Sequence, residues 1–224
     1  MARESARKQG GGVVVLGLGR FGRSLAVELV TQGIEVLGIE HDEKIVQEML
    51  GALTHVVSAD TTDLDALRQL GVQEFRRAVV GVGTDLEASI LTTSNLVDLE
   101  VGAIWAKAVS RAHGRILQRV GAHHVVHPEH DMGERVAHLV TGRMLDYIEF
   151  EDGFAMAKTR APADYVGRSL GETRIRSQHG VTVVSIKRRG EGFTYATPET
   201  VIHGGDVLIV SGRTEDVERF ANLT

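Results

Sequence analysis

The chain has 224 residues, 42% of them hydrophobic, with a formal net charge of -5 and no cysteine. The missing cysteines exclude disulfides, cysteine-bound zinc and thiol catalysis, and fit a reducing cytosol. Neither half of the chain is basic, which excludes a nucleic-acid footprint, and no apolar run approaches the roughly 20 residues that span a bilayer.

Residues 1–12 carry basic side chains with no apolar stretch behind them, so they read as a short disordered lead and not as a secretory signal. Six short apolar runs follow: Val13–Leu16, Val36–Ile39, His55–Ser58, Ala78–Val82, Ala103–Ala106 and His124–His127. Runs that are apolar on consecutive positions suit parallel strands buried on both faces. Amphipathic helical patterns separate them. Gly33 stops the first helix and Asp42 caps the second. Thr62 is the expected cap of the third and Gly71 its stop, and Leu86–Leu99 and Ala112–Val120 complete the set. Strands alternating with helices predict an α/β fold, a Rossmann-like doubly wound parallel sheet over residues 13–130. Residues 131–148 are read as a crossover helix, centred on Met132–Leu145, with Val136, Leu139, Val140 and Met144 on one face. From 149 to 224 the pattern changes to strands and turns, which predicts a small α+β domain.

Between the first strand and the first helix lies G-x-G-x-x-G: Gly17, Gly19 and Gly22. Such glycines give a tight turn, a close backbone approach to phosphate and close helix–strand contact. The helix N-terminus adds free N–H groups and positive dipole. Glu40 ends the second strand, where a carboxylate accepts from ribose hydroxyls and repels a 2′-phosphate. Arg20 and Phe21 sit inside the loop, and Arg20 can clamp phosphate oxygens. Asp60, Thr61, Gly83 and Thr84 close the third and fourth strands, on the side where this fold binds ligands. Lys107 closes the fifth, near the phosphates. On residue type alone, each of these last five is equally a cap or a surface residue.

His123, His124, His127 and His130 crowd the end of the first domain with Glu129 among them, and His130, Glu134 and His138 follow helical spacing. Strand alternation separates His123 from His124, so hydrogen-bonded or exposed histidines are the better reading than zinc. Glu129 alone is kept as a ligand for a hard cation. A nicotinamide dehydrogenase would need an acid/base presented to the hydride site. The second domain has only His179 and His203, neither in a recognisable catalytic setting, and no G-x-x-x-x-G-K-[ST] loop is present. The phosphate site reads as one that senses a nucleotide without transforming it. An NADH sensor and an NAD-dependent oxidoreductase stay open as alternatives.

The strings VLGLGRFG, IWAKA, VGAHHVVHPEHDMG, YIEF and VIHGGDVLIVSG resemble the RCK-domain gating subunits of bacterial potassium uptake systems, the KtrA/TrkA family. The likeness runs from Val13 to about Phe220, and a single unit, not a tandem pair, places it nearer KtrA. The resemblance implies a non-enzymatic, cytoplasmic regulator that forms a homo-octameric ring of dimers beneath a potassium-translocating membrane subunit of the KtrB or TrkH type. It implies exchange of ATP and ADP, with Gly17, Gly19, Arg20, Gly22 and Lys107 on phosphates and Glu40 on ribose. It also implies that Glu129 holds Mg²⁺, Ca²⁺ or Na⁺ beside the nucleotide. Some members of the family bind cyclic di-AMP in the C-terminal domain.

Overall fold

The computed structural model describes residues 11–223; the expected lead lies outside them except for Gly11 and Gly12. The chain divides into two compact units between Glu129 and His130.

The first unit holds strands β1 (Val13–Leu16), β2 (Val36–Glu40), β3 (His55–Ser58), β4 (Arg77–Val80), β5 (Ala103–Lys107) and β6 (His124–Val126). They form one parallel sheet in the order β3-β2-β1-β4-β5-β6. Every residue of β1 and β2 is buried, as consecutive apolar runs require when helices cover both faces. On one face α1 (Arg20–Thr31) and α2 (Glu43–Met49) pack over Val13, Val15, Val36 and Val79. On the other, α3 (Leu64–Gln69), α4 (Leu86–Asp98) and α5 (Arg111–Val120) pack over Val14, Leu16, Ile39 and Ile104. Burying each such Leu or Ile fully contributes about 1.5–3 kcal/mol.

Caps fix where these helices begin. Asp42 accepts from Lys44 N, Asp85 from Ala88 N and Ser110 from His113 N. The third helix departs from expectation. Asp63, not Thr62, caps it, accepting from Asp65 N and Ala66 N. Thr62 is diverted because both its N–H and its hydroxyl bond to Asp60 Oδ1, at 2.8 and 2.7 Å.

Helix α6 spans Pro128–Val140 and not Met132–Leu145. Proline suits the first helical position, where its missing N–H costs nothing, so Pro128 opens the helix as well as closing the strand region. At the other end Gly142, with φ +71°, donates its N–H to Leu139 O and stops it. The chain then enters β7 (Asp146–Phe150), a strand the sequence reading had placed partly within the crossover.

The second unit is an antiparallel sheet in the order β10-β9-β11-β8-β7. Its other strands are β8 (Phe154–Arg160), β9 (Thr182–Lys187), β10 (Phe193–Tyr195) and β11 (Val207–Arg213). In β8 and β11 alternate residues are buried, the period of a sheet with one face on the core. Leu208, Val210 and Ile186 meet Val217 and Phe220 there, the last two from α9 (Thr214–Ala221). Two short helices, α7 (Leu170–Thr173) and α8 (Ile175–His179), stand beside it. The first opens with a Ser169–Glu172 capping box.

Gly22 is held against the loop so closely that a Cβ there would lie 2.0 Å from Gly17 O, whereas a Cβ at Gly19 would meet nothing within 4 Å. Gly22→Ala is expected to destabilise the first unit by about 3–5 kcal/mol and Gly19→Ala by less than about 1 kcal/mol. Urea unfolding of the two variants checks the contrast.

Candidate functional site

The strand order reverses between β1 and β4, and ligands of doubly wound folds bind in the crevice at such a switch point. A cleft of about 630 Å³ opens there, within the size range of small-molecule sites. Its walls include Gly17, Gly19, Arg20, Phe21, Glu40, Asp60, Thr61, Gly83, Thr84 and Lys107. Gly22 lies beneath the wall, buried between helix and loop.

Backbone crowding shapes the floor. Gly17 has φ +88°, and a Cβ there would come within 2.7 Å of the Val82 side chain. A Cβ on Gly81 would lie 2.5 Å from Gly17 O, and Gly81 N donates to Leu16 O at 2.7 Å. Loop, β1 and the end of β4 thus touch backbone to backbone. Above them the N-terminus of α1 points into the cleft side. Gly19 is its N-cap, no side chain caps it, and no acid lies in its first turn. Its leading N–H groups and positive dipole are therefore left for an anion. Arg20 is the first residue of that helix and is exposed.

Glu40 is buried, with 6% of its surface exposed. Leu18 N donates to its Oε2 at 2.7 Å, and His41 N and Asp42 N donate to its Oε1 at 2.9 and 3.2 Å. The exposed His41 ring sits 2.8 Å from the same Oε1. Leu18 belongs to the glycine loop, so this carboxylate ties the loop to the end of β2. It has two oxygens and about four lone-pair directions, which leaves Oε2 with room for one further hydroxyl.

Asp60, Thr61 and Lys107 also have partners. Asp60 holds Thr62, and the Thr62 backbone bond, with its hydroxyl next, holds the Asp60 carboxyl below its usual range. The Thr61 hydroxyl lies 2.8 Å from that of Thr92, and Asn95 donates to the carbonyls of Thr61 and Thr62. Lys107 donates from Nζ to Glu129 Oε1 at 2.6 Å and stands 5.9 Å from the centre of the Phe21 ring. Glu129 is not on the wall itself; it reaches the cleft through Lys107. The sequence reading did not include His41, nor Asp85, Ala88 and Leu91 from the start of α4, which also line the cleft. Helix α4 starts where β4 ends, at the switch point.

Among the described residues no three His, Cys, Asp or Glu side chains gather as metal ligands. Glu129 offers one carboxylate toward a hard cation, which takes six or more oxygens, and that carboxylate is paired with Lys107. Three of the histidines have other partners: Ile104 N donates to His123 Nδ1, His124 stacks on Trp105, and His138 lies against Tyr147; the buried Nε2 of His127 has no hydrogen-bond partner among the described residues. His130 Nε2 lies 3.3 Å from Glu134. In the second unit an open hollow of about 620 Å³ is lined by Leu170, Arg174, Arg176, Ser177 and Thr197 among others. Arg174, with φ +50°, forms the left-handed joint between α7 and α8. No helix of the described residues is long and apolar enough to cross a membrane.

A glycine-loop cleft on a doubly wound sheet, followed by a small antiparallel domain, defines the RCK class of fold. The solved RCK domain of GsuK superposes with a TM-score of 0.65 at 20% identity, over 96% of this chain and 47% of that one. The GsuK channel bound to NAD gives 0.65 at 19%, over 96% and 39%. The chain thus spans less than half the length of those two structures. Residues 13–128 match the TrkA-N domain family and residues 157–224 the TrkA-C domain family. The chain is 39% identical over 207 residues to Ktr system potassium uptake protein C of Bacillus subtilis, covering 92% of this chain and 94% of the relative. It is 34% identical over 209 residues to Ktr system potassium uptake protein A of the same bacterium, covering 93% and 94%. The chain belongs to the KtrA/TrkA family of potassium uptake proteins.

Replacing Glu40 by Gln puts an amide N–H₂ against N–H groups that now meet carboxylate oxygens. An unsatisfied or mispaired buried group costs about 1–3 kcal/mol. Glu40→Gln is therefore expected to lower the stability of the ligand-free protein by that amount, read as a shift in the urea midpoint at constant slope.

Proposed function

We propose that the chain is a cytosolic regulatory subunit of a potassium transport system, controlled by adenine nucleotides bound in the switch-point cleft. The observation that carries the reading is the uncapped, acid-free N-terminus of α1, which meets the cleft beside Arg20 and Lys107. A phosphate chain supplies the anion that such an end lacks. Glu40 takes one ribose hydroxyl with its remaining acceptor site. The relatives that match nearly the whole chain are potassium uptake proteins, which supports regulation of transport over hydride transfer.

The nucleotide proposed is ATP exchanging with ADP. The backbone N–H groups of the loop meet the inner phosphates and do not count them. Arg20 is long enough to count them, whether on its own chain's ligand or on that of a neighbouring copy. NADH is the second reading, favoured by the NAD-bound state of the GsuK channel, whose fold this chain shares. The membrane partner is a potassium-translocating subunit of the KtrB or TrkH type. In the second unit, Arg174 and Arg176 offer cations to the phosphates of cyclic di-AMP.

Assembly is proposed to run through α6. None of its residues is buried, and Met132, Val136 and Val140 are 53%, 43% and 80% exposed. Leu139 packs against the core of its own unit and is not offered to a partner. We place a second copy of the chain on the exposed stripe, as the contact between the dimers' two halves in a ring of eight.

Two measurements test these readings. A charge-assisted hydrogen bond contributes about 1.5–3 kcal/mol, roughly ten- to a hundredfold in affinity. Arg20→Ala should weaken ATP by that factor and ADP far less in calorimetry. An equal loss for both would make Arg20 a general phosphate anchor. Val136→Asp with Val140→Asp should lower the mass seen by light scattering. A monomeric unmutated protein would remove the assembly proposal.

A further inference from the structure

We propose that His41 is a specificity-determining residue of the cleft: its ring takes the ribose hydroxyl for which Glu40 has no acceptor site left, so two different side chains read the two hydroxyls of an adenine ribonucleotide. The inference rests on the reading of the cleft as an adenine-nucleotide site and names what selects the sugar there.

The division follows from the acceptor sites of one carboxylate. Ribose presents hydroxyls on two adjacent carbons, and a carboxylate has about four lone-pair directions. On Glu40 Oε1 the N–H groups of His41 and Asp42 take two of them, at 2.9 and 3.2 Å. On Oε2 Leu18 N takes a third, at 2.7 Å. All these donors are main-chain groups, and Ala59 N donates to the carbonyl of Glu40 itself at 3.0 Å. A buried carboxylate held in this way cannot turn toward a ligand without leaving a main-chain N–H unpaired. One hydroxyl therefore fills it.

The second hydroxyl needs a reader beside the first. His41 follows Glu40 in the chain and lines the cleft, with 85% of its side chain exposed and Nδ1 2.8 Å from Glu40 Oε1. Its main chain is pinned by the bond to Glu40, while its ring is open to a ligand. Oε1 already accepts from two N–H groups and has no proton to give, so the proton between it and Nδ1 is on the ring. Nε2 then accepts from a hydroxyl when the ring is neutral and donates to one when it is charged; a hydroxyl fits both. The neighbouring wall acids suit the place less well. Asp42 Oδ1 caps α2 through Lys44 N, and Asp60 Oδ1 holds the N–H and the hydroxyl of Thr62. Either acid on the same diol would also set a second anion beside Glu40, a Coulombic cost that an imidazole avoids. Glu40 and His41 together make the cleft prefer a complete ribose over both deoxy forms.

Calorimetry on the full chain with ADP, 2′-deoxy-ADP and 3′-deoxy-ADP tests the division. Loss of the hydroxyl on Glu40 forfeits a charge-assisted bond and should weaken binding to the wild type roughly ten- to a hundredfold; loss of the one on His41 should weaken it about two- to tenfold. His41→Ala should weaken ADP by about two- to tenfold as well. It should weaken one deoxy analogue by that same factor and leave the other at its wild-type affinity, since that analogue has no hydroxyl for His41 to meet. Equal weakening of all three ligands by His41→Ala overturns the proposal, because it takes His41 off the ribose. Wild-type affinity of His41→Ala for all three overturns it too. A wild type that does not bind ADP overturns the reading of the cleft and the role of His41 with it. A wild type that binds ADP beside a His41→Ala variant with no contrast between the analogues overturns the role of His41 alone.

Discussion

The first unit is organised around one steric constraint: three backbones meet where Gly17, Gly22 and Gly81 touch. Any Cβ at these positions would lie between 2.0 and 2.7 Å from a neighbouring atom. Because nothing larger than hydrogen fits, α1 begins directly against the end of β1. Its first N–H groups emerge at the switch point and not several ångströms above it. The position of the cleft, the direction of the helix dipole and the exposure of Arg20 all follow from that contact. Leu18 N is carried into reach of Glu40 by the same turn, so the buried carboxylate is a second tie on a loop already fixed by packing.

Around this fixed point several of the groups that line the cleft already have partners. Glu40 holds the loop, Asp60 holds Thr62, Thr61 faces Thr92, and Lys107 holds Glu129. A preorganised site of this kind loses little side-chain entropy when a ligand arrives.

Much of the architecture was legible in the sequence because period and packing are local properties. Val13–Leu16, apolar at every position and followed by a glycine turn, reads as a strand buried on both faces and forms one; Phe154–Arg160 reads as a strand among turns, and its alternate burial shows only in the structure. The three loop glycines and Glu40 were legible by position. What Glu40 does was not, because side-chain direction depends on where the loop backbone comes to rest, and that is set by contacts with Gly81 on a distant strand. Thr62 lost the cap of α3 to Asp63 because Asp60 holds it, and aspartate is also preferred over threonine as an N-cap. Pro128 was read as the end of a strand when it is also the start of a helix. Both roles follow from its missing N–H, and only the following turns distinguish them. Asp85, Ala88 and Leu91 joined the cleft because α4 starts on the far side of the switch point, a fact of topology and not of motif.

Helix α6 has a mechanical character set by its middle. Its beginning is secured by Pro128 and by the Glu129 ion pair, and its end by Arg135 on Asp146, Leu139 in the core and His138 against Tyr147. Between these anchors lies Gly133, where an added side chain would touch nothing within 4 Å. Glycine inside a helix forfeits about 1 kcal/mol relative to alanine, and here no packing offsets it. Gly133 therefore marks the turn of α6 that its own sequence holds least firmly.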